Sequence, residues 1–267
     1  MNYIPLNLVS FENRQAISIH IRELCPYLDD NDTAISDTRA SVSEALERLA
    51  AIDPENYGKT RNYINGKVTH LSPFIRHGLI NLVDVRDKVL AMVKPREAEK
   101  LIQQMAWREY WQRIYRQKPE IIWNDAEDYK TGFTAEDYAD ALPADIARGE
   151  TGVACIDGFI QQLLAQGTMH NHARLYVAAY ICHWRRIKWQ AGAKFFLSHL
   201  LDGDAASNNL SWQWVASTFS QKPYYYNLEN VQKFSPKTVD VSAVNNAPLI
   251  GTYEEMYSRL FPNLGAK

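Results

Sequence analysis

The sequence predicts an all-α fold, and three observations carry that expectation. Apolar residues recur at helical spacing through several long segments. No stretch alternates strand and helix in the βαβ manner, and no glycine-rich loop follows a candidate strand. Candidate helix caps punctuate the chain at Ser41 or Ser43 and at Gly167. At 267 residues the chain can bury a sizeable core. Apolar content of 46% and charged content of 22% are ordinary for a globular protein. No apolar run reaches the roughly 18–20 residues of a membrane span, and the N-terminus lacks a basic segment followed by an apolar one. Cys25, Cys155 and Cys182 are widely spaced and odd in number. They fit a reducing, cytoplasmic setting and offer no disulfide framework, zinc spacing or iron–sulfur ligand set. With a net charge of −2, nucleic-acid binding requires a local basic face.

Residues 1–40 have weak periodicity and run into the polar segment DDNDTAISDTRAS, so they read as an N-terminal arm. The first firm helix starts near Ser41 or Ser43, with Val42, Ala45, Leu46 and Leu49 expected on one face. In YGKTRNYINGKVTHLSP, residues 57–73, Asn62, Thr69 and Ser72 precede a helix whose first turn suits Pro73. Such residues make either a capped turn or a phosphate-holding helix start. Pro95–Tyr115 is a long helix. Leu101, Ile102, Met105, Tyr110 and Ile114 are spaced for a buried face; Gln104, Trp107, Arg108 and Trp111 form a separate polar–aromatic strip. Residues 117–148 are loop-rich and acidic, a solvated face with no chemistry assigned to it. Glu150–Gly167 is a helix with its apolar stripe at Ile156, Phe159, Ile160, Leu163 and Leu164.

Residues 168–214 organise the rest. Asp202, Asp204, Asn208 and Asn209 cluster where an amphipathic helix ends, and Trp184, Trp189, Trp212 and Trp214 bracket them. Acid and amide groups walled by indoles point to a pocket for a planar polar ligand. Each tryptophan taken alone reads first as core packing. After Val239 a C-terminal extension, 241–267, offers Tyr253, Met256, Tyr257 and Leu260 to dock a last helix.

The pattern MHN-x-x-R, then W-x-x-G-A-x-x-F, then LLDGD-x-x-x-NN-x-x-WQW resembles the FAD-binding domain of the DNA photolyase/cryptochrome family. Weaker similarity extends from Tyr57 to Gln232. The resemblance implies an all-helical FAD-binding domain over residues 41–240 holding a U-shaped FAD. The family's N-terminal antenna domain is not expected before Tyr57, and no antenna chromophore with it. By the same resemblance Tyr57, Thr69, Leu71 and Ser72 hold the flavin's pyrophosphate segment; Val68 stands where a hydroxyl residue is often found. Arg108 lines the flavin pocket. Arg174 and Asp202 sit beside the isoalloxazine ring, Asp204 meets the flavin imide or ribityl edge, and Asn208 faces flavin N5. A carboxylate also suits Arg174 as a plain structural ion pair.

The catalytic set implied by the resemblance is Asn208, Trp212, Trp189, Gln104 and Asn171. Trp212 and Trp189 match the inner and middle members of an electron relay. Ungapped register puts the outer member at Glu136, leaves Trp123 too early, and leaves that role unassigned, with Tyr138 or Phe133 nearby. Substrate DNA is implied to meet Gln104, Trp107, Asn171, His172, Leu175, Trp214 and Gln232, with Arg185, Arg186, Lys188, Lys222 and Lys233 as candidates for backbone contact. Gln104 replaces the glutamate of dimer-repairing enzymes, and His172 replaces an arginine. Asn171 and Leu175 replace the two histidines of eukaryotic (6-4) enzymes. The resemblance implies light-driven splitting of pyrimidine dimers in UV-damaged, preferably single-stranded, DNA by an electron from reduced FAD. The alternative is a FAD blue-light photoreceptor without repair; a third reading is a helical interaction protein with an emptied pocket.

Overall fold

A computed structural model describes residues 14–24, 36 and 38–265. The chain divides into two compact units, residues 1–37 and 38–267. In the first, α1 runs over Arg14–Leu24, and Ile17, Ile19 and Ile21 are exposed. Cys25 lies outside the described residues.

The second unit is helical, and among the described residues no strand forms beyond one isolated bridge between Ala139 and Ile187. Two separate apolar cores account for its packing. The first gathers α2 (Val42–Ala50), α3 (Pro54–Thr60), α4 (Ser72–Arg76), α5 (Leu82–Met92) and the opening turns of α6 (Pro95–Gln117) around Phe74, Leu71, Val85 and Leu101. The second gathers α7 (Ala144–Arg148), α8 (Ala154–Gln166), α9 (Asn171–Ala179), α10 (Trp189–His199), α11 (Ala205–Ala216) and α12 (Leu228–Phe234).

Local chemistry sets these boundaries. Ser41, rather than Ser43, caps α2 by accepting the Glu44 N–H at 3.1 Å. Asn81 and Asp84 close a capping box on α5. Gly149 and Gly167 end α7 and α8 with φ of 64° and 68°, where a side chain would be strained. A Cβ on Gly167 would also meet Leu201 at 2.8 Å.

Two expectations of burial fail. Val42 and Leu46 are 51% and 52% exposed; α2 buries only Ala45 and Leu49, with Arg48 lying over the Phe74 ring. Tyr110 is 43% exposed, because the second half of α6, from Gln104 to Tyr115, contains no fully buried residue. That half-helix borders polar partners and solvent instead of core. The acidic segment is more ordered than a plain loop, with short 3-10 turns at Pro119–Ile122 and Ala135–Asp137.

Beyond residue 240 the chain packs closely. Asn246 is buried, accepts the Cys155 N–H at 3.0 Å, and donates to the carbonyls of Asp240 and Ser242. In α13 (Tyr253–Leu260), Met256 and Leu260 are buried and Tyr253 stays 41% exposed. No helix among the described residues is long and apolar enough to cross a membrane.

His183 sits in a π-helical turn, Tyr180–Trp184, and is 1% exposed. Its Nε2 donates to the Val215 carbonyl at 3.0 Å, and its buried Nδ1 has no partner. Burial pushes its pKa down from 6.5 to about 4. The unfolded chain therefore takes up a proton before the folded one does. Stability is full above pH 6.5 and falls as the pH drops from there toward 4. Urea unfolding at pH 7 and pH 5 should differ by about 1–2 kcal/mol on account of His183. His183→Gln should shrink that difference; an undiminished difference assigns it to other groups.

Candidate cofactor site

The turn Leu200–Asp204 lies where polar groups of both lobes converge. From α4, the Arg76 Nε donates to the Gly203 carbonyl at 2.5 Å, and a His77 ring nitrogen lies 2.9 Å from the Leu201 carbonyl. From α9, the Arg174 guanidinium donates to both oxygens of Asp202 at 3.0 and 2.9 Å, and its Nε to the Met169 carbonyl. Ser72, the first residue of α4, also hydrogen-bonds Asp202. Burial works to raise the Asp202 carboxyl. The Arg174 charge and these hydrogen bonds outweigh it and hold the group below the usual carboxylate range. From α6, Arg108 pairs with Asp204 at 3.2 Å and Gln112 donates to both its oxygens at 2.7 and 2.8 Å. Asp204 also caps α11 and accepts from Ser207. Its oxygens are thus already engaged by chain donors, and a flavin edge meeting it must share or displace one.

Asn208 lies one turn into α11. Its Nδ2 donates to the Ala193 carbonyl at 3.0 Å and to the Asn209 side chain at 2.9 Å. This fixes the amide and leaves Oδ1 with no donor among the described residues. Asn209 is fully buried and donates to the Ile122 carbonyl at 2.7 Å, so it ties α11 to the segment after α6. Trp212 is 2% exposed, edge-on to Phe196, with its ring over Gly192, where a Cβ would stand 2.2 Å from the ring. Trp189, one turn before Gly192 on α10, is fully buried. Trp184 departs from its expected place: it stacks with Tyr180, lies tilted against Tyr226 and donates to the Pro248 carbonyl.

The start of α9 forms a histidine corner. His170 accepts the His172 N–H on Nδ1, so its proton sits on Nε2, which is buried and has no partner. Burial, with His172, His70, Arg174 and Arg61 as neighbours, pushes its pKa down to about 4. His172 donates Nδ1–H to the Asn62 carbonyl at 2.6 Å and stacks on Tyr176; burial lowers its pKa as well. Both rings are neutral near pH 7. Thr69 accepts the Leu71 N–H at 3.4 Å, which leaves its own hydroxyl proton free to donate.

On the open side, Arg61 hydrogen-bonds the Tyr57 hydroxyl and donates to Gln104 Oε1 at 3.2 Å. Trp107 is 52% exposed and stacks on Trp111 at 5.4 Å. Trp214 is 40% exposed and packs on Tyr224. Asn171 is exposed at the start of α9, and Leu175 packs on the second core.

The turn thus brings Ser72, Arg108, Arg174, Asp202 and Asp204 together, with Asn208 on the helix that Asp204 caps. Leu71 serves the first core and Tyr57 reaches the seam through Arg61. Gln232 is exposed on α12 and donates to the Val241 carbonyl. Several candidate backbone contacts are spent internally: Arg185 pairs with Asp145, Lys188 with Asp140, and Arg186 binds the Leu260 carbonyl and covers Phe133.

Sequence reasoning missed Gln112, Arg76 and two residues of the acidic segment. Trp123 stacks on Trp189 at 6.4 Å with 5° between their planes, and Asp125 accepts the Trp189 Nε1–H at 2.6 Å. Glu136, where ungapped register placed the outer indole, is exposed in a 3-10 turn. Trp123 and Asp125 reach Trp189 across 64–66 residues, so no local pattern announces them.

The donor set fits a ligand that carries anionic and amide-like edges together. The unpartnered Nε2–H of His170, the free Thr69 hydroxyl and the open Asn208 Oδ1 are the groups such a ligand would satisfy.

Comparisons with known proteins bear on the family of the chain. The sequence model of the family described as FAD binding domain of DNA photolyase matches residues 101–242, more than half the chain. A deoxyribodipyrimidine photo-lyase of Streptomyces griseus is 31% identical over 155 residues, 56% of this chain and 32% of that protein. One from Alkalihalophilus pseudofirmus is 29% identical over 187 residues, 69% of this chain and 38% of that protein. Among solved structures, a Synechocystis cryptochrome superposes with a TM-score of 0.69 at 19% identity, covering 89% of this chain and 55% of that one. A class III photolyase of Agrobacterium tumefaciens gives 0.62 at 24% identity, covering 78% and 44%. The chain belongs to the DNA photolyase/cryptochrome family and carries its FAD-binding domain. It spans about a third of the length of those two curated relatives.

Gly192→Ala would drive a methyl group into the Trp212 ring. It should destabilise the protein by about 1–3 kcal/mol and change its tryptophan fluorescence, both readable in one urea titration followed by emission. Asp202→Asn removes the partner of Arg174. It should cost about 3 kcal/mol, the low end of the range for a broken buried pair because Arg174 is 28% exposed; calorimetry measures it.

Proposed function

We propose that this chain holds FAD in the seam between its two lobes and, under blue or near-UV light, splits pyrimidine dimers in UV-damaged DNA, with single strands preferred. When bound and reduced, the flavin supplies the photo-excited electron. Everything else falls to the chain's own residues.

Ser72, Thr69 and the histidine corner would hold the phosphates, and Arg174 with Asp202 would flank the ring. Asn208 would present a fixed amide oxygen to N5. An amide accepts a hydrogen bond there without delivering the proton a carboxylic acid carries. Trp212 and Trp189 would carry electrons inward to regenerate the cofactor.

The observation that carries the repair reading is the exposure of Trp107 and Trp214, at 52% and 40%, on helices α6 and α11 that frame the site. Solvent-facing indoles are stacking platforms for an extruded base. Gln104 accepts from Arg61 through Oε1, and its amide N–H groups would donate to base carbonyls. His172 is neutral and already bound to Asn62, so it brings no charge to a phosphate. Weakened phosphate affinity favours single strands, where flipping a base costs least. A second reading, a FAD photoreceptor without repair, is favoured by the same His172 and by glutamine in place of glutamate at 104.

Purified protein loaded with FAD and photoreduced should lose dimers from single-stranded oligonucleotides under blue light faster than from duplexes. Trp107→Ala should lower the rate at least tenfold while leaving FAD content unchanged. Flavin photochemistry without dimer loss on either strand form would move the chain to the photoreceptor reading.

A further inference from the structure

Asp125 stands in the acidic segment that the site does not use, yet it touches the most deeply buried indole of the unit. Its Oδ1 accepts the Trp189 Nε1–H at 2.6 Å and the Gln190 Nε2–H at 3.2 Å. Trp189 is fully buried, so this hydrogen bond is the only one its ring can make and excludes water. Trp123 covers Trp189 with parallel planes at 6.4 Å and is itself 37% exposed, with the Lys194 ammonium 5.7 Å from its ring. Trp189 therefore has a proton acceptor on its edge and an electron donor on its face.

We propose that Asp125 is the proton acceptor of Trp189 when that indole is oxidised, and that Trp123 is the surface residue that refills it. The inference rests on the reading of Trp212 and Trp189 as an electron relay. Once Trp189 has given an electron to oxidised Trp212, its ring is a cation whose N–H is far more acidic than that of the neutral indole. The proton moves 2.6 Å along the existing hydrogen bond to Asp125 Oδ1, within the reach required of a general base. Trp189 becomes a neutral radical, and return of the electron from Trp212 then needs return of the proton. Refilling takes one electron through Trp123 from a dissolved thiolate, which becomes a thiyl radical; the radicals from two refilling events couple to one disulfide, and each time Asp125 hands the proton back to Nε1. The other titratable groups within electrostatic reach of Asp125 are Tyr129 beside it and Cys182 and Lys188 from the segment leading to α10. The thiol and phenol are both held protonated by burial, so neither competes as acceptor.

Asp125→Asn keeps the hydrogen bond and removes the basicity. Flash photolysis of the FAD-loaded protein should show the neutral tryptophan radical, with a slowed onset in heavy water, in the native chain. In Asp125→Asn the radical cation should persist at least tenfold longer. Neutral radical arising at the native rate in Asp125→Asn overturns the assignment of Asp125. Trp123→Phe should slow refilling by added thiol at least tenfold, and unchanged refilling overturns the role of Trp123. Trp212→Phe should abolish all the transients; if it does not, the relay reading itself fails, separately from the proposal. A readout free of flavin is the indole resonance of Trp189 in ¹⁵N spectra of the FAD-free protein, assigned with Trp189→Phe. It should be protected from exchange in the native chain and in Asp125→Asn, and exchange at least tenfold faster in Asp125→Ala. Equal exchange in all three would remove the hydrogen bond on which the proposal stands.

Discussion

The Leu200–Asp204 turn is the point on which the rest of this molecule depends. Two apolar cores form on either side of it, and neither extends into the other. Apart from Tyr63 and Ile64, which pack on α12 and the second core, what joins them at the turn is polar: Arg76 and His77 from α4, Arg174 from α9, Arg108 and Gln112 from α6, all ending on five residues. Each of those bonds is worth only about 0.5–3 kcal/mol net, but losing a partner of Asp202 or Asp204 leaves a buried carboxylate short of one. The turn is thus over-determined, which is the condition for a site whose groups must not wander.

The arrangement explains why α6 is so polar. A helix of this length would ordinarily bury one stripe along its whole course. Here burial stops at Leu101, and the following turns present Gln104, Trp107, Arg108, Trp111 and Gln112 in sequence. The helix is held at its start by the first core and along its second half by Asp204. Its indoles are therefore free to face solvent without loss of the helix.

How much of this was legible in the sequence follows from the range of the contacts. Helix ends were readable because caps act over three residues, as at Ser41 and Gly167. The central cluster was readable because Asp202, Asp204, Asn208 and Trp212 lie within three turns of one another in the chain. Val42, Leu46 and Tyr110 misled because periodicity reports a face and not whether anything covers it. Trp123 and Asp125 were invisible for a different reason. Their partner is more than sixty residues away, and a shift in the intervening segment defeats any count of positions. The same holds for Arg61 with Gln104, and for Gln112 with Asp204.

The seam between the two cores has a further consequence. A joint made of ions and hydrogen bonds responds to salt and to pH in ways that apolar packing does not. Once its charges are screened, the contacts of Tyr63 and Ile64 with the second core remain. Each lobe keeps its apolar interior in that event, so the two need not melt together, and a single unfolding midpoint is not guaranteed. A ligand spanning the seam would act as a clamp, adding its binding free energy to the one place where the molecule can come apart. Occupancy of the seam would then raise the cooperativity with which the two lobes unfold.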